Sequence, residues 1–283
     1  MEVVKTIKKA EDFIKIARQR NKTIGFVPTM GALHKGHCSL IETSVKKCGC
    51  TAVSIFVNPT QFGPEEDFKN YPRTLSEDLK ICEDKGVDLV FAPTVKQMYP
   101  AKNLTWVKVE KLTLPLCGRF RPGHFDGVTT ICAKLFNIIK PDFAFFGQKD
   151  AQQAIVLKKM VDDLNFPLKI ITCTTVREND GLAVSSRNKY LTTEQRKQAP
   201  LIYKALCNAR KSIQSGNKNT EKIKAEIENT IKKAASAQIQ YVDILDADSL
   251  AKVENIKTKT LIAVAVSFGD ARLIDNILID TKS

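Results

Sequence analysis

Two of the chain's three histidines stand three residues apart in Pro28-Thr29-Met30-Gly31-Ala32-Leu33-His34-Lys35-Gly36-His37. An apolar run, Thr23–Val27, precedes them and a helix-like pattern follows, so His34 and His37 are expected on one side of a first helical turn. A helix start offers backbone N–H groups and the positive end of the helix dipole, a natural seat for phosphate oxygens. Gly31 and Gly36 would let a nucleotide approach the backbone without meeting a Cβ. The Gly-x-x-x-x-Gly spacing matches a P-loop, but His37 and Cys38 stand where a P-loop carries Lys and Ser/Thr. No Gly-x-Gly-x-x-Gly occurs. A metal site built on this pair has only His124 left to recruit.

Other polar segments also follow apolar runs. Asn58-Pro59-Thr60-Gln61-Phe62-Gly63 comes after Thr51–Val57, and amides at a strand's carboxyl end bind hydroxyl and carboxylate groups with defined geometry. Asn58, before a proline, is also suited to turn-making. Tyr71-Pro72-Arg73 comes next. Cys117-Gly118-Arg119-Phe120-Arg121-Pro122-Gly123-His124 combines glycines with paired arginines, fit for a loop shaped around an anion or for an ordered turn. Gly147-Gln148-Lys149-Asp150-Ala151-Gln152-Gln153 puts a lysine just past a buried run, well placed for phosphate, although a surface lysine reads the same way. Ala183-Val184-Ser185-Ser186-Arg187-Asn188 brings hydroxyls and an arginine into a turn-rich stretch suited to polyphosphate.

These segments need a scaffold that places strand ends together. Thr23–Val27, Thr51–Val57, Val87–Phe91, Phe143–Phe146 and Leu168–Thr172 read as buried strands. Ser39–Lys47, Leu75–Lys85, Val128–Ile139 and Ala151–Leu164 carry helical periods between them. Such alternation predicts a parallel α/β sheet covered on both faces, with ligands at the strands' carboxyl ends. Past Val176 the pattern changes to two charged amphipathic helices, then the strands Gln238–Leu245 and Leu261–Phe268. The division expected is therefore 1–175 and a smaller C-terminal α/β domain over 176–283.

The chain has 283 residues and a net charge of +13, enough for one large or two modest domains. Between Arg196 and Ala235 ten basic residues face three acidic ones. That excess attracts anions or RNA nonspecifically, and RNA binding is the alternative of a different class, although aromatic residues for stacking are sparse. The longest clean apolar run, Leu261–Phe268, is far short of a bilayer span. The start, Met1-Glu2-Val3-Val4-Lys5, has no apolar signal core, so export is not expected. The eight cysteines include no Cys-x-x-Cys, and Cys48-Gly49-Cys50 is the one close pair. Buried thiols in a reducing cytoplasm are expected, with no metal site.

Taken together, PTMGALHKGH, SIFVNPTQF, YPR, LCGRFRPGHFDGV, FGQKDAQQ, the 177–188 stretch and ARLIDN at 271–276 resemble the pantoate–β-alanine ligase (pantothenate synthetase) family. They run in family order across nearly the whole chain. Gln148, Thr60 and Asp270 depart from the residues usual at those positions. The resemblance implies a Rossmann-like ATP- and pantoate-binding domain of the His-x-Gly-His nucleotidyltransferase type, with the C-terminal domain closing over the site. It implies ATP-dependent condensation of pantoate with β-alanine through pantoyl adenylate, releasing pyrophosphate and AMP, with Mg2+ accompanying ATP. His34, His37 and Lys149 would be catalytic. Met30, Gly147, Asp150, Val176, Val184, Ser185, Ser186 and Arg187 would complete the ATP site, with Asp150 at the ribose. Gln61 and Gln153 would bind pantoate with Asn58 in support, and Gln61 would also meet β-alanine. A cytoplasmic homodimer through the first domain, with no membrane or specific nucleic-acid partner, completes the expectation. A transferase that moves AMP to a phosphorylated acceptor and stops there is the alternative within the superfamily.

Overall fold

A computed structural model describes residues 1–64, 66, 68–256 and 259–280. The chain divides into two compact units, one of residues 1–148 and 152–174, the other of Lys149–Ala151 and residues from Thr175 onward.

The first unit is built on six parallel strands: β1 (Glu2–Val4), β2 (Ile24–Thr29), β3 (Cys50–Ile55), β4 (Leu89–Phe91), β5 (Phe143–Gly147) and β6 (Lys169–Cys173). Its helices are α1 (Ile7–Gln19), α2 (Lys35–Lys47), α3 (Leu75–Asp84), the single turn α4 (Val95–Met98), α5 (His124–Ile139) and α6 (Ala151–Asp163), whose first residue is grouped with the second unit. Strand order is β1-β4-β3-β2-β5-β6. From β2 the chain adds β3 and β4 on one side, then returns to lay β5 and β6 on the other. The order therefore reverses between β2 and β5, where ligands sit in open α/β sheets.

Continuous apolar runs make the central strands, because both faces are covered: Ile24, Phe26, Val27, Ala52, Val53 and Phe145 are fully buried. The sheet's outer strands depart from the sequence pattern. β1 has no counterpart among the expected strands, since only Val4 of its three residues is buried. β6 forms, but most of its residues are exposed or half-buried, because it lies at the sheet's edge. Helix α5 is buried along nearly its whole length, and Phe136 packs edge-on against Phe26 with ring centroids 6.4 Å apart.

In the second unit, α7 (Thr193–Gln198), α8 (Leu201–Gln214) and α9 (Thr220–Ile231) precede an antiparallel meander of β7 (Ala237–Asp246), β8 (Thr260–Phe268) and β9 (Ala271–Ile279). Three helices stand in place of the expected two, because the capping box of Thr192 and Gln195 starts α7 ahead of Pro200. The apolar faces of α8 and α9 (Ile202, Leu206, Ile223, Ile227) join Val264, Val266 and Ile277 in one core. Strand β9 escapes an apolar-run reading because Arg272, Asp275 and Asn276 interrupt it. Among the described residues, no helix is long and apolar enough to cross a membrane.

Candidate active site

The β2–α2 connection is held by its own side chains. His34 caps α2, its Nδ1 accepting from Gly36 N–H at 3.2 Å, while His37 Nδ1 accepts from His34 N–H at 3.3 Å. A neutral imidazole that accepts at Nδ1 carries its proton at Nε2, so in this arrangement each ring's Nε2 is a donor. The rings stack with centroids 4.1 Å apart and planes 24° apart. The expected same-side pair is present. The helix start differs from expectation in one respect: two of its backbone N–H groups are taken up by the histidines themselves.

Upstream, Gly31 (φ 83°) and Ala32 (φ 50°) adopt left-handed backbone, costly for alanine unless its surroundings hold it there. Asp78 of α3 holds it. The carboxylate, 1% exposed, accepts from Ala32 N–H at 3.0 Å and Leu33 N–H at 2.7 Å. Thr74 Oγ1 donates to it at 3.3 Å. Reading the sequence by motif missed this residue. Its signal is an aspartate on the Leu75–Leu79–Cys82 stripe, where a helix facing the core should be apolar. Beside this loop a cavity of about 350 Å³ is lined by Met30, Gly31, Ile55, Phe56, Arg73 and Asp78, among others. The Arg73 guanidinium donates to the carbonyls of Phe68, Lys69 and Tyr71, which fixes that turn.

Gln61 ends a 3-10 turn after β3. Its Nε2 lies 3.0 Å from Met30 Sδ and its Oε1 accepts from Asn58 Nδ2 at 3.2 Å. Asn58 is 1% exposed, and protein groups surround it. Its amide also donates to Gly127 O, and its Oδ1 accepts from Tyr99 O–H at 2.9 Å and Thr60 O–H at 3.0 Å. Asn58 is thereby tied to the Gln61 side chain by a hydrogen bond. The Gln61 carbonyl in turn accepts from His124 Nδ1–H at 2.8 Å, and His124 Nε2 lies 3.0 Å from Arg121 Nη1. Arg121 forks onto Glu66, with its Nε 2.7 Å from one carboxylate oxygen. Burial alone would raise the Glu66 pKa, but Arg121's hydrogen bonds and charge, aided by His124, hold it below the ordinary glutamate value. Of the two readings of this arginine segment, Arg121 takes the ordered turn. Gln152 is buried, clamping Cys117 N–H and the carbonyls of Leu112 and Pro115, whereas Gln153 is half-buried. Gly147, which ends β5, has open space where a Cβ would stand.

In the second unit, Lys149 Nζ lies 3.9 Å from the Asp150 carboxylate. Val184 N–H donates to Val176 O at 3.0 Å, Ser185 Oγ accepts from Arg187 N–H, and Ser186 opens a 3-10 turn. Thr175 Oγ1 and Asn188 Oδ1, flanking these residues in sequence, are buried without a hydrogen-bond partner.

All eight cysteines are free, four of them buried and four half-buried. Burial pushes the Cys50 thiol up to about 11 and those of Cys82 and Cys132 up to about 12.

A doubly wound parallel sheet, with paired imidazoles after its central strand and amides after the next, defines an α/β enzyme acting on small polar ligands at the strands' carboxyl ends. Comparison with known proteins makes this specific. The Pantoate-beta-alanine ligase family profile matches residues 2–278. Pantothenate synthetase of Acetivibrio thermocellus is 52% identical over 280 residues, covering 99% of this chain and all of that protein. Its counterpart in Moorella thermoacetica is 51% identical over the full length of both. The pantothenate synthetase structure from Thermus thermophilus superposes with a TM-score of 0.93 at 41% identity, covering 98% of this chain and 99% of that one. The Francisella tularensis pantoate–β-alanine ligase, complexed with β,γ-ATP and β-alanine, superposes with a TM-score of 0.80 at 36% identity over 98% and 97% of the two chains. The chain belongs to the pantoate–β-alanine ligase family, whose members condense pantoate with β-alanine at the expense of ATP.

Proposed function

We propose that the ligation runs through pantoyl adenylate and that the residues singled out by sequence carry it. A pantoate carboxylate oxygen attacks the α-phosphorus of ATP; the bond from that phosphorus to the bridging oxygen breaks and pyrophosphate leaves. The β-alanine amine then attacks the acyl carbon, the carbon–oxygen bond breaks, the nitrogen loses a proton, and AMP departs carrying the oxygen that came from pantoate. No covalent protein nucleophile is needed, so catalysis rests on positioning and charge.

The observation carrying this reading is the stacked His34–His37 pair at the head of α2, with Nδ1 of each ring accepting a backbone N–H. Their Nε2–H groups would meet phosphate oxygens where negative charge develops, His37 in the acid role. Lys149 would hold the departing pyrophosphate, with Ser185, Ser186 and Arg187 serving the same oxygens. Met30 and Gly147 would line the nucleotide site, Asp150 would meet the ribose, and the Val176 and Val184 backbone the adenine. Gln61 and Gln153 would bind pantoate, with Asn58 orienting Gln61 and Gln61 meeting β-alanine as well. Among the described residues, no three His, Cys, Asp or Glu side chains gather into a metal cage. Magnesium in this reading is held mainly by the triphosphate, as its preference for phosphate oxygens and water allows.

We also place the enzyme in the cytoplasm as a homodimer. Leu104 (85% exposed), Leu114 (68%) and Trp106 offer apolar surface in the first unit, and all cysteines are unpaired. Sedimentation reads the dimer directly.

Carboxylate-labelled pantoate tests the adenylation step. One oxygen-18 per turnover should appear in AMP. Label retained wholly in pantothenate and water would exclude the adenylate.

A further inference from the structure

The block at 271–276 resembles the family, yet nothing in the proposed chemistry uses it. We infer that Asp275 and Asn276, adjacent in β9, jointly anchor the two segments read as phosphate-contacting, and that Asn276 is a positioning residue for Lys149. This rests on the proposed role of Lys149.

Asp275 and Asn276 are 3% and 4% exposed within a strand whose neighbours Leu273 and Ile277 are core residues. Polar groups buried this deeply cost stability unless fully paired, so what they hold is informative. Asp275 takes both arms of Arg177, at 2.6 and 3.0 Å, and accepts from Asn276 N–H at 2.8 Å. Arg177 also donates to Gly181 O at 3.1 Å and lies 3.5 Å above the Tyr203 ring. Gly181 (φ 91°) brings the chain back so that Arg177 bridges to Ala183 and Val184 pairs with Val176. From that hairpin emerge Ser185, Ser186 and Arg187. The neighbouring side chain reaches the other segment: Asn276 Nδ2 donates to the backbone carbonyl of Lys149 at 2.9 Å. Lys149–Ala151 accordingly groups with the second unit rather than with the strand and helix on either side of it. One dipeptide thus fixes the lysine and the serine–arginine loop in a common frame, within one unit. Phosphoryl stabilisation depends on that frame, since small displacements of a charge from the developing anion forfeit most of its effect.

The test is a double-mutant cycle read by pantoyl-adenylate formation, with ATP varied at saturating pantoate and pantoate then varied at saturating ATP. Asn276→Ala should lower kcat/KM for ATP about 10- to 100-fold while leaving the pantoate KM within about twofold. In a Lys149→Ala background the same change should cost less than about threefold, because the group it positions is gone. Asn276→Leu, which keeps the volume and removes the donor without burying a charge beside Asp275, should repeat the result and substitutes for the alanine variant should that one melt early. Equal losses in both backgrounds, or no loss in the wild type, would overturn the positioning role while leaving Lys149's role standing. Near-normal activity of Lys149→Ala would remove the Lys149 reading and this inference with it.

Discussion

Asp78 gives the sharpest prediction for the first unit, because its one carboxylate fixes the backbone that leads into the histidine pair. It accepts from Ala32 and Leu33 N–H at 3.0 and 2.7 Å and from the Thr74 hydroxyl at 3.3 Å while 1% exposed. Hydrogen bonds to a charged acceptor are each worth about 1.5–3 kcal/mol. Asp78→Ala strands two backbone N–H groups, costing about 3–6 kcal/mol in total. Asp78→Asn retains one acceptor oxygen but turns an NH2 toward the other N–H, costing about 2–3 kcal/mol. At about 2–4 °C per kcal/mol, the asparagine variant should melt roughly 4–12 °C lower. Kinetics separate this from general destabilisation. Released from Asp78, Ala32 relaxes from φ 50°, His34 shifts, and adenylate formation at 25 °C should fall about 100-fold, as expected of a 1 Å misplacement. Calorimetry and rapid-quench assay of pantoyl adenylate are the measurements. An asparagine variant that melts within about 2 °C of wild type and forms adenylate within about threefold of its rate would refute the anchoring role.

Three further outcomes are expected. In Gly36→Ala the new Cβ would stand 2.9 Å from His34 Cε1 and 3.0 Å from its Nδ1, forcing the ring off its cap. Stability should drop only about 1 kcal/mol while adenylation falls about 100-fold, and an unchanged rate would contradict the role given to the capped ring. Glu66 titrates below the ordinary glutamate value in the folded protein, so its contribution is present above the unfolded value of about 4.3 and lost as pH falls through the lowered folded value. The stability gap between wild type and Glu66→Gln, read by urea melts, should close on acidification below about pH 4, and a gap undiminished at about pH 2 would count against it. Cys50, Cys82, Cys132 and Cys173 are buried, whereas Cys38 and Cys48, whose thiols partial burial also raises, still reach solvent along with Cys117 and Cys207. Mass-resolved labelling at neutral pH should therefore modify Cys38, Cys48, Cys117 and Cys207 first, and early modification of Cys82 would be inconsistent with the core described.

How much of this is legible in the sequence follows from what each residue reports about its own surroundings. The central strands are readable because burial on both faces leaves an unbroken apolar run, as in β2 and β3. The exposed start of β1 and the polar interruptions of β9 erase that signal. The His34–His37 pair is readable because its geometry is local, set by three residues of one helical turn. Asp78 and Tyr99 are not, because they act 45 and 41 residues away in sequence from the groups they hold. Asn276 lies 127 residues from Lys149. A polar residue on an apolar stripe or strand, as at Asp78 and Asp275, is the trace such long-range anchors leave.

Two-step ligation through an acyl adenylate is tested most directly by pyrophosphate release from ATP. The purified protein is given magnesium and pantoate, with and without β-alanine. A burst of one pyrophosphate per active site is expected without β-alanine, becoming steady turnover to AMP and pantothenate when it is added. Steady pyrophosphate release that ignores β-alanine, or release that requires β-alanine from the first turnover, would contradict the two-step mechanism.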